Sequence, residues 1–129
     1  MARQKRTYTS ETFHAYTVKV SKREYAVIDL DIGVITTTQA RILKDEVHRY
    51  FHEAAPPKTI CLLLTSENPV RPEAMKLLEG LKTIDEDRRM ILICPPEVEG
   101  CHRLRSRWQN GNSGRSWSYP TLERFLMNN

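Results

Sequence analysis

Two short runs, Thr59–Leu64 and Met90–Cys94, are apolar almost without interruption. Pro56-Pro57 precedes the first, Asp85 to Arg89 the second, and Pro95-Pro96 follows the second. Five or six residues between such breakers suit a strand better than a helix. A strand covered on one face alternates apolar with polar residues, whereas one covered on both faces does not. These runs therefore predict central strands lying between two layers, as in a parallel sheet.

The flanking segments fit that frame. Thr12 to Val20 alternates, with Phe13, Ala15, Thr17 and Lys19 opposing His14, Tyr16, Val18 and Val20, so it predicts a half-buried strand. Ser21 to Glu24 is a polar turn, and Tyr25–Leu30 a second strand, which together make an antiparallel hairpin. Thr36 followed by Gln39 matches a capping box, and Ala40, Leu43, Val47, Tyr50, Phe51 and Ala54 recur as one face of a helix that Pro56-Pro57 ends. A second helix opens at Pro72 with the stripe Ala74, Leu77, Leu78, Leu81 and Ile84. A third starts at Pro95-Pro96 and carries Val98, Cys101, Leu104 and Trp108. Asn110 to Gly114 reads as a loop and Trp117 to Tyr119 as an edge strand; Ser118 or Pro120 opens a last helix bearing Leu122, Phe125 and Leu126. Strands alternating with helices predict an α/β fold: a mixed, mostly parallel sheet of four or five strands, an N-terminal β-hairpin and about four helices. Residues 11–129 form one domain behind a basic tail at 1–10.

Composition narrows the function classes. At 129 residues, 40% hydrophobic and 28% charged, with 5 Gly and 7 Pro, the chain reads as one globular domain, not as a disordered or fibrous one. No run approaches the roughly 18 apolar residues of a membrane span, so no membrane insertion is expected. Met1 to Ser10 lacks the apolar stretch of a secretory signal. Cys61, Cys94 and Cys101 are odd in number and form no close-spaced ligand pairs, which fits idle thiols in a reducing compartment, hence the cytoplasm. The net charge of +4 divides into +3 over the first seven residues, +4 from Cys101 onward and −3 between. Clustered charge of one sign can draw nucleic acid, anionic head groups or an acidic protein.

Four constellations could carry chemistry. Asp29-Leu30-Asp31 after an apolar strand resembles the aspartate pair of haloacid-dehalogenase-like phosphatases, which implies a nucleophile and an acid/base beside Mg²⁺. Gly33, the position of Asp85-Glu86-Asp87 before a strand and the short chain all depart from that pattern. His48 and His52 stand four apart on a helix, the spacing for two imidazoles on one metal, but no third ligand is indicated, and no cofactor or metal is expected. Cys101 and Arg107 have the spacing of a phosphate-binding cysteine loop without its glycines. Arg103, Arg105, Arg107, Trp108, Arg115, Trp117 and Tyr119 interleave cations with aromatic rings. Arg103, Arg107 and Arg115 form the basic patch that makes nucleic acid an alternative partner.

The order of elements, with particular residues, resembles a STAS domain, the fold of anti-sigma-factor antagonists and related regulators. The likeness covers about Phe13 to Leu126. It rests on the hairpin leading into Thr38-Gln39-Ala40, the strand Thr59–Leu64, the helix entered near Val70, Met90 to Val98 with its central prolines, and Tyr119-Pro120-Thr121-Leu122-Glu123. Phosphorylatable members carry Asp-Ser-Ser/Thr-Gly where this chain has Arg71-Pro72-Glu73-Ala74, so Glu73 stands at the expected phosphosite and no hydroxyl is available. The nearer analogues are relatives without a phosphosite, such as lipid-transport accessory subunits. The resemblance implies a non-enzymatic regulatory or adaptor domain whose partner is a protein: a regulator, a kinase-like protein or a transporter component. Docking is expected through Glu67, Asn68, Arg71, Glu73 and Lys76.

Overall fold

The computed structural model describes residues 3–109 and 117–128, with side chains from Tyr8 onward. The protein is an α/β fold around one six-stranded sheet whose strands lie side by side in chain order. β1 (Arg3–Thr9), β2 (Phe13–Val20) and β3 (Arg23–Leu30) form an antiparallel meander. β4 (Thr59–Leu63), β5 (Arg89–Ile93) and β6 (Ser118–Tyr119) then add in parallel to β3.

Helices join the parallel strands: α1 (Thr37–Ala54), the short α2 (Met75–Glu79) and α3 (Cys101–Gln109), with α4 (Leu122–Met127) closing the order. Right-handed crossovers that always step in one direction put their helices on one face of the sheet. The packing agrees. Phe13, Ala15, Ala26, Ile28, Ile60, Leu62, Met90 and Leu92 form one core with buried residues of α1, α2 and α3. Val18, Tyr25, Val27, Cys61, Ile91 and Ile93 form a second core on the opposite face with Phe125 of α4. β4 and β5 are therefore covered on both sides, which is why they lack alternation.

Local rules account for most boundaries. The Thr36 hydroxyl accepts from the Gln39 amide at 3.2 Å and starts α1; Ala55, at φ 45°, ends it before the two prolines. The Trp108 indole is fully buried and donates to the Met90 carbonyl at 3.0 Å, fixing α3 to the sheet. Thr121 caps α4 by accepting from the Arg124 amide at 3.1 Å.

Four expectations need correction. The basic tail contains a strand: β1 pairs with β2 from Arg3↔Lys19 to Thr9↔His14, giving six strands instead of four or five. Cationic residues suit a sheet edge and hide the usual apolar signal. Arg23 and Glu24 belong to β3, so the turn is the pair Ser21-Lys22, with Ser21 at φ 57°. The second helix is broken, α2 being flanked by 3-10 turns at Pro72–Ala74 and Gly80–Thr83, because proline and glycine bracket only five α-helical residues. The third helix begins at Cys101, because Gly100 takes φ +87°, which an α-helix cannot run through. The Asn110 to Gly114 loop and Arg115 lie outside the described residues. No helix among the described residues is long and apolar enough to cross a membrane.

Candidate functional site

Loops leaving the carboxyl ends of parallel strands are where open α/β sheets commonly hold ligands. Here three of them are stitched together by backbone hydrogen bonds. Ile35, after β3, donates to Pro69 O at 2.8 Å and accepts from Arg71 N at 3.1 Å, forming a parallel bridge to the loop after β4. Val70 in that loop donates to Glu99 O, after β5, at 2.9 Å. Gly100 packs so closely here that a Cβ would meet Val70 O at 2.7 Å and Met75 Cε at 2.9 Å.

Asn68 locks the middle loop. Its side-chain oxygen accepts from Thr65 N at 2.9 Å and from the Thr65 hydroxyl at 3.2 Å, while its NH₂ donates to the carbonyls of Ile32 and Gly33. Asn68 is 1% exposed, so it cannot meet a partner as expected; it holds the surface in shape instead. Glu67, Arg71, Glu73 and Lys76 are all exposed around this edge.

The edge contains an open cleft of about 460 Å³ between the loop after β4 and the start of α3. Val70, Pro72, Met75, Pro96 and Val98 supply apolar walls, and His102 and Arg103 stand at its α3 side. The structure thus brings Arg103 of the basic patch to the loop after β4. Arg107, one turn on, instead pairs with Glu79 at 3.0 Å. The contribution of α3 to the edge was missed in the sequence because the helix start was placed before Gly100. A glycine just ahead of the Cys101–Trp108 apolar repeat was the available signal.

The other candidates fall elsewhere. Asp29 and His14 are cross-strand partners on the α4 face. His14 lies between two carboxylates, with Nε2 3.3 Å from Asp29 and Nδ1 3.1 Å from Asp31. Burial holds the Asp29 carboxyl above its ordinary range, with Asp31 adding to the rise and His14 opposing it. Burial and the Asp29 charge likewise raise Tyr16. His48 and His52 are exposed on α1 beside the acidic Asp85–Asp87 turn. Among the described residues no group of three or more His, Cys, Asp or Glu side chains has an arrangement that could hold a metal ion. Cys61, Cys94 and Cys101 are free and buried; burial pushes the Cys61 and Cys94 thiols up, and the Cys101 thiol donates to Cys94 O at 3.0 Å. Such thiols are poor nucleophiles.

No family model, no curated protein and no solved structure matches this chain.

Proposed function

We propose that this protein is a non-enzymatic regulatory or adaptor domain, STAS-like in character, that binds a protein partner at the edge built by the loops after β3, β4 and β5. The observation that carries the reading is the stitched edge itself: Ile35, Pro69, Val70, Arg71 and Glu99 are tied backbone to backbone beside an apolar cleft. Protein interfaces combine an apolar centre with a polar rim, and a surface held rigid before binding loses less entropy on binding. Glu67, Arg71, Glu73, Lys76 and Arg103 form the rim, and Pro72 and Pro96 supply exposed apolar surface at the centre, over the buried Val70, Met75 and Val98. Regulator, kinase-like protein and transporter component are the partner classes to test.

The experiment is affinity capture from native lysate on the immobilised chain, repeated with the Arg71→Glu/Glu73→Lys double variant and with Arg103→Glu. A specific partner recovered by the parent chain and lost with the double variant supports the assignment. Undiminished retention by both variants would move the interface elsewhere. The phosphatase reading has its own assay: Mg²⁺-dependent phosphate-ester hydrolysis abolished by Asp29→Asn would replace the docking reading with an enzymatic one.

A further inference from the structure

The docking cleft has a smaller neighbour. Pro96, Cys101 and His102 wall both, and Arg105, Ser106 and Ser118 complete a pocket of about 300 Å³. Arg105 is half-buried, and its Nε donates to the Ser118 hydroxyl at 3.3 Å. No carboxylate pairs with it among the described residues, whereas Arg107 has Glu79 at 3.0 Å and Arg88 has Asp85 at 2.6 Å. Drawing a guanidinium out of water without a counter-ion is unfavourable. The walls offer that cation, an imidazole and two hydroxyls, with no acidic residue among them.

This set complements an oxygen-rich anion. A guanidinium presents several N–H donors in a fork that matches phosphate oxygens, and the serine hydroxyls can donate to the same group. We propose that this pocket binds the phosphate monoester of a small molecule, with Arg105 as the principal counter-ion and His102, Ser106 and Ser118 as further donors. The pocket lies beside the carboxyl end of β5, where Leu92 pairs with Ser118 of β6, and the loops after such strand ends commonly hold ligands in α/β sheets. The proposal does not depend on the protein-docking reading, because it concerns a separate ligand and a separate counter-ion.

The test is an NMR titration of the ¹⁵N-labelled full chain with phenyl phosphate, inorganic phosphate and sodium chloride at matched ionic strength. Phenyl phosphate should give saturable shifts centred on His102, Arg105, Ser106 and Ser118. Inorganic phosphate should bind more weakly and chloride should give no such pattern. Removing a charged donor should matter most, so Arg105→Gln should weaken binding about tenfold or more, and Ser118→Ala by a smaller factor. Arg41→Gln and Arg124→Gln, exposed and outside the pocket, should leave affinity unchanged. The spectrum of each variant reports its folding; if Arg105→Gln unfolds, Ser106→Ala and Ser118→Ala carry the comparison. Affinity unchanged in the pocket variants, shifts spread over surface arginines, or equal affinity for inorganic phosphate and the monoester would each overturn the assignment.

Discussion

Replacing Glu46 should unfasten the entry of the meander from α1. The Glu46 carboxylate accepts from the Thr12 amide at 2.9 Å, from the Thr12 hydroxyl, and from the Glu11 amide at 3.3 Å. Thr12 is 2% exposed, so both of its donors lose their partner if the carboxylate is removed. An unsatisfied buried donor costs about 1–3 kcal/mol, and the longer, exposed Glu11 bond adds little. Glu46→Ala should therefore destabilise by about 3 kcal/mol. Glu46→Gln keeps a neutral acceptor and should cost about 1 kcal/mol. Asp45→Ala, at an exposed neighbouring position, should stay within about 0.5 kcal/mol of the parent.

The pH dependence separates the charge from the shape. Burial raises the Glu46 pKa, but the Thr12 hydroxyl and amide, Ser10 and the Glu11 amide outweigh it, so the folded value lies below the ordinary 4.5. The unfolded chain then binds the proton more readily, and the contribution is complete above 4.5 and lost as pH falls through the lowered folded value. Urea unfolding at neutral and strongly acidic pH should show the gap between Glu46→Gln and parent closing on acidification. A gap that stays constant, or a Glu46→Ala cost no larger than that of Asp45→Ala, would refute the reasoning.

Other expectations follow from single contacts. Gly100→Ala combines φ +87° with a 2.7 Å approach to Val70 O, so it should cost at least about 2 kcal/mol in urea unfolding and weaken partner capture. Ala55→Gly and Ser21→Gly relieve positive φ values of 45° and 57°, and each should raise stability by a few tenths to about 1 kcal/mol in the same assay. Asp29 has a raised folded pKa, so its ionisation costs stability as pH rises from 3.8 through that folded value. Asp29→Asn should accordingly gain stability relative to parent on going from strongly acidic to neutral pH; a ranking that does not change with pH would count against it.

Much of the fold was legible because burial leaves a pattern in the residues that face it. The runs at Thr59–Leu64 and Met90–Cys94 specify doubly covered strands, and their parallel pairing with β3 follows from the helices between. The capping hydroxyl of Thr36 and the stripe from Ala40 to Phe51 placed α1 closely. What escaped notice has weak periodicity or depends on long-range contact. β1 is an edge strand of charged and polar residues, so pairing with β2 rather than an apolar face reveals it. The start of α3 depends on a glycine's backbone angle, which two upstream prolines mask.

The site was legible only as a region, for a reason that Asn68 and Arg105 illustrate together. Both are polar and both lie close to segments marked as functional, so sequence gives no ground for separating them. The fold makes Asn68 a buried tie between the loops after β3 and β4. It makes Arg105 a half-buried cation that reaches across to Ser118 of β6. The distinguishing quantity is whether the polar group's partner lies within the chain. Asn68 has its acceptors and donors supplied, so substitution there acts through stability. Arg105 has a hydroxyl but no carboxylate among the described residues, so substitution there acts on what the protein binds. Glu67, Arg71, Glu73 and Lys76 stand between these limits: exposed and solvated, they add little to folding, so a substitution there that changed partner capture would act at the proposed interface and not through stability.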